Sequence, residues 1–453
     1  MTQPDPSPSA EGPDGDFPGP RVLLWLTFAV LIAGILTGFI GGTFRWLLVR
    51  TDARREELAE WAQRHGFWGL LVPIAVSAAA AAAAAAIGGR WPQSAGSGIQ
   101  QVEAVEHGQD APTPPSTLFA RYSGGLLSIG VAGMVLGREG PTVHMGAASG
   151  AIVGRMFRAA RDEIRVMQTV LSGAGLAVAF NAPIGGAIFV FEEVARTVRL
   201  RAVLWTLVAV GAAITCSRLV LGDHRDFAVA PVTEPGLEAL PLFAVFGVCV
   251  GLLGVGYNWM VDHCLTAFQA VRALPAVAKA ALIGAVIGAA LVYLPEAVGG
   301  GDTVTQSFLD GRQTAFATVV LFLALRFCTG PISYAAGTPG GLFAPMLALG
   351  TLAGVVFARV VEFAGVDLVR DTEVSLMIAG MAALFAAAVR APFTGIVLVM
   401  EMTAATGIAI PMVVAAATAV MVASLAHSDP VYDALRERML ADRRRADDEP
   451  PGR

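Results

Sequence analysis

The chain has 453 residues, 55% of them hydrophobic and only 15% charged, with a net charge of −5 at pH 7. A soluble protein of this length would need about a quarter of its residues charged to cover its surface, so the deficit excludes that class and points to a polytopic membrane protein. A net charge this small for the size gives no case for a nucleic-acid partner.

Residues 1–20 are rich in Pro, Gly, Ser and Asp and have no basic region ahead of an apolar one, so they read as a disordered tail and not as a signal peptide. The first apolar run, Arg21 to Val49, is too long for a signal-peptide core and stays in the membrane. Further apolar runs lie near 66–88, 116–136, 166–191, 202–221, 238–261, 276–294, 314–328, 341–364, 375–400 and 407–426. The alanine run Ala78 to Ala86 carries small side chains that allow close helix packing in lipid. The four cysteines, Cys216, Cys249, Cys264 and Cys328, show no CxxC or metal spacing and read as small buried residues.

Several runs are interrupted, at Asn181-Ala182-Pro183, at Gly337-Thr338-Pro339-Gly340-Gly341 and at Arg390-Ala391-Pro392. A broken helix is tolerated in a bilayer only where protein or a water-filled cavity satisfies the freed backbone groups, which favours a transporter or channel over a simple anchor. The two halves also echo one another. Asn181-Ala182-Pro183-Ile184-Gly185-Gly186 precedes an apolar stretch ending in Glu192-Glu193, and Arg390-Ala391-Pro392-Phe393-Thr394-Gly395 precedes one ending at Glu401. The echo is either chance in an Ala/Gly-rich chain or an internal duplication, which in transporters is often inverted. Arginines cluster at 155–165, 196–201 and 436–445; the last cluster argues for a cytoplasmic C-terminal segment and Arg196 and Arg199 for Glu193 toward the cytoplasm, whereas Arg50, Arg54, Arg55 and Arg64 after the first run do not fit the same rule cleanly.

Five segments carry chemistry. Gly96-Ser97-Gly98-Ile99 permits a tight turn with exposed N–H groups and a hydroxyl donor, suited to a desolvated halide or to an ordinary N-cap turn. Gly137-Arg138-Glu139-Gly140-Pro141 puts a carboxylate at a helix start inside an apolar region. A helix start favours anions, so Glu139 is either a charged cap or a gate that yields its place to a dissolved anion. His144, five residues on, reads as a polar filler. Gly340-Gly341-Leu342-Phe343-Ala344-Pro345 exposes main-chain N–H groups that can bind an anion, or is a glycine-rich linker. Glu192-Glu193 is an interfacial acid pair balanced by Arg196 and Arg199, or a proton acceptor on the cytoplasmic side. Tyr432, after the last run, is an aromatic anchor or a phenolic donor to an anion.

Together these segments, in this order from about residue 22 to 440, resemble the CLC family of chloride channels and chloride/proton exchangers. The resemblance implies an all-α polytopic membrane protein of two inverted-topology repeats of tilted, broken helices, and a homodimer with one pore per subunit. It implies a first repeat over 21–225, a second over 238–427 and a C-terminal cytoplasmic helix and tail over 428–453, with both termini on the cytoplasmic side of the inner (plasma) membrane. By position, Ser97 and Tyr432 would donate to a central anion and the N–H groups of Leu342 and Phe343 would complete its site. Glu139 would be the external gating glutamate and Glu193 the internal proton glutamate. The implied activity is electrogenic exchange of chloride for protons within a lipid bilayer, with no cofactor and no metal. The rivals are a passive chloride channel and a fluoride/proton exchanger of the same fold.

The chain departs from the family at Gln100, where proline is usual, and at His144, where glutamine is common. With the sequence ending soon after Tyr432, it resembles the short prokaryotic form without tandem cytoplasmic nucleotide-binding domains. An intramembrane enzyme is disfavoured. A serine hydrolase would need a base near Ser97 and a metalloprotease would need HExxH, and His65, His107, His144, His224, His263 and His427 offer neither spacing.

Overall fold

The computed structural model describes residues 19–448. The expected N-terminal tail, apart from its last two residues, and the last five residues of the expected C-terminal tail lie outside them. Among the described residues the chain is helical, with two isolated β-bridges and no strand. Nine of the described helices are long and apolar enough to cross a membrane.

The helices fall into two series of eight and a final one. The first is α1 (Pro20–Arg64), α2 (Gly66–Arg90), α3 (Ile99–Glu106), α4 (Ser116–Gly125), α5 (Glu139–Met156), α6 (Arg161–Phe180), α7 (Pro183–Phe189) and α8 (Leu200–Leu221). The second is α9 (Leu240–Ala270), α10 (Ala276–Tyr293), α11 (Asp302–Leu309), α12 (Phe316–Ala335), α13 (Phe343–Phe363), α14 (Arg370–Val389), α15 (Pro392–Thr403) and α16 (Ala409–Leu425), followed by α17 (Val431–Asp448). The packing repeats too: α5 lies on α6 as α13 lies on α14, and α1 on α8 as α9 on α16. Contacts of α2 with α10 and of α7 with α15 join the halves. This is an all-α fold of two inverted-topology repeats.

Local chemistry explains the repetition. Gly34 and Gly38 of α1 lie against the carbonyls of Ala209 and Ala213 of α8, and Gly247 and Gly251 of α9 lie against those of Ala415 and Ala419 of α16. Glycines four apart let two backbones approach closely in lipid, where dispersion and not the hydrophobic effect holds helices together. The alanine run of α2 packs on α10 in the same manner. The run read as 166–191 is two helices, because α6 ends on Asn181 in the left-handed region (φ 50°) and Pro183 opens α7. Likewise α14 ends on Arg390 (φ 73°) and Pro392 opens α15. A left-handed residue ends a helix, and a proline two residues later starts the next where its missing N–H costs nothing.

The short helices left by these breaks cap each other. The Glu401 carboxylate accepts from the N–H groups of Ile184 (3.0 Å) and Gly185 (2.7 Å) at the start of α7. The Glu192 carboxylate accepts from the N–H groups of Phe393 (3.0 Å) and Thr394 (2.6 Å) at the start of α15, and from the Thr394 hydroxyl (2.7 Å). The acids that end the two echoing segments thus exchange partners.

A second repeated device precedes α3 and α11. Each follows a short turn begun by proline, Pro92–Ser94 or Pro295–Ala297, and each has a left-handed glycine as its N-cap, Gly98 (φ 103°) or Gly301 (φ 106°). Behind each turn lies a fully buried arginine. Arg121 of α4 donates to the carbonyls of Gln93 (3.0 Å), Ala95 (3.1 Å) and Gly96. Arg326 of α12 donates to those of Glu296 (2.7 Å), Val298 (3.1 Å) and Gly299 (2.8 Å).

Two expectations change. Helix α1 runs past the first apolar stretch to Arg64, and Arg55 on this extension donates to the carbonyls of Ile129 (2.6 Å) and Gly130, so its charge serves the fold and is a poor guide to topology. Of the cysteines only Cys216 is buried, while Cys249 is exposed and Cys264 and Cys328 are half-buried.

Candidate anion and proton sites

Three of the singled-out loops are stitched together by their main chains. The Gly96 N–H donates to the Thr338 carbonyl (3.2 Å) and the Gly340 N–H to the Gly96 carbonyl (3.1 Å). Gly137 and Gly341 exchange both N–H···O bonds at 2.8 Å. Consequently the N-termini of α3, α5 and α13 converge from separate parts of the chain, and their partial positive charges add in one buried place. Tyr432, at the start of α17, joins them.

Ser97 and Tyr432 are fully buried neighbours whose hydroxyls face one another, and neither makes a hydrogen bond of ordinary length. Unmade bonds on buried hydroxyls cost about 1–3 kcal/mol each, so a ligand that accepts them fits the place. The Ser97 hydroxyl lies against Gly140, where any side chain would collide with it. Glu139 is fully buried, and one carboxylate oxygen accepts from the Ala344 N–H at 3.0 Å while the other has no partner. Its carboxylate therefore sits on the N-terminus of α13. The N–H groups of Leu342 and Phe343 are at the same helix start, where no intrahelical acceptor exists. Arg138 turns away: it pairs with Asp226 (3.0 Å) and Asp302 (3.0 Å), and Arg45 also pairs with Asp226.

A second group also borders Tyr432. Glu193, on a π-helical turn (Val190–Val194) after α7, is buried with one oxygen unpartnered. Its charged neighbours are Glu103 of α3, Arg196, Asp433 and Glu192. Glu103 is fully buried and pairs with Arg436 at 3.3 Å. Asp433 pairs with Arg196 (2.8 Å) and Arg436 (2.8 Å). Two buried carboxylates thus face a network of two arginines and an aspartate at the base of α17. Among the described residues no group of His, Cys, Asp or Glu is placed to hold a metal ion.

The family model for the voltage-gated chloride channel matches residues 80–424, most of the chain. The chain belongs to the CLC family. It is 33% identical over 431 residues to the H(+)/Cl(-) exchange transporter ClcA of Vibrio cholerae, covering 91% of this chain and 89% of that protein. It is 34% identical over 441 residues to the ClcA of Vibrio parahaemolyticus, covering 91% and 90%. Among solved structures, a slow cyanobacterial Cl-/H+ antiporter superposes with a TM-score of 0.86 at 31% identity, covering 92% of this chain and 98% of that one. A CLC-type fluoride/proton antiporter superposes at 0.75 with 20% identity, a likeness of fold alone.

Within this CLC chain the expected anion residues, Ser97, Leu342, Phe343, Tyr432 and Glu139, come together, and Glu193, near Tyr432, has Glu103, Arg196, Asp433 and Glu192 as its charged neighbours. Glu192 and Glu193 do not act as a pair: Glu192 caps α15, and Arg196 bonds Asp433 and the Glu193 carbonyl (3.2 Å), not the Glu193 carboxylate. Sequence reasoning missed Ala344, although the free N–H groups of a helix start extend over its first turn and so include it. It also missed Glu103, for which Ile99 to Glu106 offers no signal, since Gln and Glu at that density look like an exposed helix. The departure at Gln100 is absorbed locally: its amide donates to the Tyr334 hydroxyl at 3.2 Å, beside the Ser97 N–H, which donates to the same oxygen at 3.3 Å.

Proposed function

We propose that this chain exchanges chloride for protons across the membrane, electrogenically, with Glu139 as the gate. The observation that carries the reading is the Glu139 carboxylate on the N-terminus of α13, held there by the N–H of Ala344, with its second oxygen free. A carboxylate there stands where an anion would, beside unpartnered Ser97 and Tyr432 hydroxyls and the N–H groups of Leu342 and Phe343. Protonation removes its charge and its attraction for the helix end, so it leaves and chloride enters. Glu193 passes protons on the cytoplasmic side, by a route that diverges from the anion path at Tyr432. Net charge moves, so membrane voltage drives transport at about 2.3 kcal/mol per charge per 100 mV. The names of the relatives in Vibrio and of the cyanobacterial structure support the same exchange.

The working unit is a homodimer with one pore per subunit. Helices α7 and α15 are 7 and 12 residues long, too short to span, and their starts at Ile184 and Phe393 lie on the surface. Glu401 and Glu192 already satisfy those backbone ends, and a second copy can cover the exposed Ile184 and Phe393 side chains beside them. The repeats take 21–225 and 238–427, and both termini face the cytoplasm from the inner (plasma) membrane.

Reconstituted liposomes monitored with chloride and pH electrodes test the reading. A chloride gradient should drive protons the opposite way. Chloride movement without protons would make the chain a passive channel, and movement of fluoride in place of chloride would make it a fluoride exchanger.

A further inference from the structure

Arg121 is 0% exposed, and every acceptor it meets is neutral. Its Nη atoms serve the carbonyls of Gln93, Ala95 and Gly96, and its Nε donates to His144 Nδ1 at 3.0 Å. No carboxylate pairs with it, and beyond His144 the one ionisable group acting on it is the Tyr334 phenol. A buried charge without a partner is costly by several kcal/mol, so an opposite charge is expected nearby. Its counterpart Arg326 differs on this point. Arg326 makes the same three-carbonyl clasp in the second repeat, but it borders a cavity of about 330 Å³ that also holds Asp52, Glu296 and Asp302, and Asp302 acts on it directly.

The loop clasped by Arg121 carries Ser97. A Cβ at Gly98 would come within 3.0 Å of Arg121 Nη2 and 2.7 Å of His144 Cβ, so the Arg121 guanidinium and the stem of His144 both lie close against the residue after Ser97. A guanidinium only donates, so His144 Nδ1 is an acceptor and cannot take a proton while Arg121 holds it. The other ring nitrogen meets Thr113 Oγ1 at 3.4 Å, and that oxygen in turn accepts from the Gln168 amide at 2.8 Å. The surroundings of His144 are therefore neutral apart from Arg121.

We infer that Arg121 is the fixed countercharge of the transported anion: a positioning residue that holds the Ser97 loop by its carbonyls and whose charge is balanced by the anion seated at Ser97, with His144 as the neutral acceptor that orients it. The inference rests on the reading of Ser97 as part of the anion site. It assigns a role to His144 that a polar filler does not have, because the residue at this position must accept a hydrogen bond without carrying a negative charge.

The test compares His144→Gln with His144→Glu in the full-length protein, by calorimetric titration of chloride at pH 7.5 and by Tm in chloride-free buffer. Both side chains accept from Arg121 and differ chiefly in charge. His144→Gln should bind chloride as wild type does. His144→Glu supplies the missing countercharge, so it should weaken chloride by roughly tenfold or more with no loss of chloride-free Tm. Arg121→Gln should weaken chloride to a similar degree. Equal chloride binding by the Gln and Glu variants overturns the inference, and so does a His144→Glu protein much less stable than His144→Gln without chloride, because that is the signature of a purely structural clasp. If wild type itself gives no chloride heat, the anion reading of Ser97 fails instead.

Discussion

The same device, a carboxylate on a helix N-terminus, occurs in two regions of this protein with opposite consequences. At the α7–α15 contact, Glu192 collects three donors and Glu401 two, and each uses both of its oxygens. At the centre, Glu139 has one donor from another helix and one orphaned oxygen, and is fully buried. A hydrogen bond to a charged group contributes about 1.5–3 kcal/mol, so the number of donors decides whether the carboxylate is a permanent cap or a removable one. Burial pulls in the same direction, since an incompletely satisfied charge deep in protein gains most from being neutralised. On the proposed gating role of Glu139, structure and gate use one interaction at two degrees of completion.

The strongest way to break this comparison is Glu139→Gln. The amide cannot ionise and has little pull on the α13 N-terminus, so chloride should occupy the site permanently. In liposomes we expect chloride flux that no longer varies with pH and no proton transport at all, whereas wild-type flux should rise as pH falls because the neutral carboxyl releases the site. Proton pumping by the variant would remove Glu139 from the gate. Glu193→Gln should have the next largest effect. Its carboxyl has an orphaned oxygen and neighbours Glu103, so it resembles Glu139 in being undersatisfied, but it lies off the anion site. Chloride flux should persist while proton coupling is lost. Coupling that survives the substitution would move the proton route to Glu103 and its arginine partner.

The difference between the two regions was only partly legible in the sequence. Glu139 stood out because a carboxylate between glycines and a proline, within an apolar chain, has few explanations other than function. The breaks before Pro183 and Pro392 were legible for the same local reason, since proline constrains the residue before it and removes a donor. The exchange of Glu192 and Glu401 was not, because each finds its partner more than 200 residues away, and only the folded repeats bring α7 and α15 together. The duplication itself showed in Asn181-Ala182-Pro183 and Arg390-Ala391-Pro392, yet its clearest trace, the paired clasps of Arg121 and Arg326, was hidden. Around Gly98 and Gly301 the two halves share only a proline six residues earlier and a pair of glycines, and an arginine inside an apolar helix does not announce whether it faces carbonyls or a membrane surface.

The smallest predicted effect sharpens the comparison from its other side. If the α7–α15 caps are permanent, weakening them should reduce stability and leave coupling alone. Glu401→Gln keeps the shape of the side chain but removes its charge and one of its two acceptor oxygens at the α7 start. The loss should be about 1–2 kcal/mol, the usual range for a helix cap with its charge–dipole contribution. Glu192→Gln should cost a similar amount, and the Thr394 hydroxyl, which can also donate to an amide oxygen, should soften it. Thermal unfolding in detergent reads the stability, and the liposome assay reads the ratio of chloride to protons. A lowered Tm with an unchanged ratio is the expected pair of results. A normal Tm with a proton leak would mean that these carboxylates let go during transport, and the contrast between complete and incomplete capping would then lose its explanatory force.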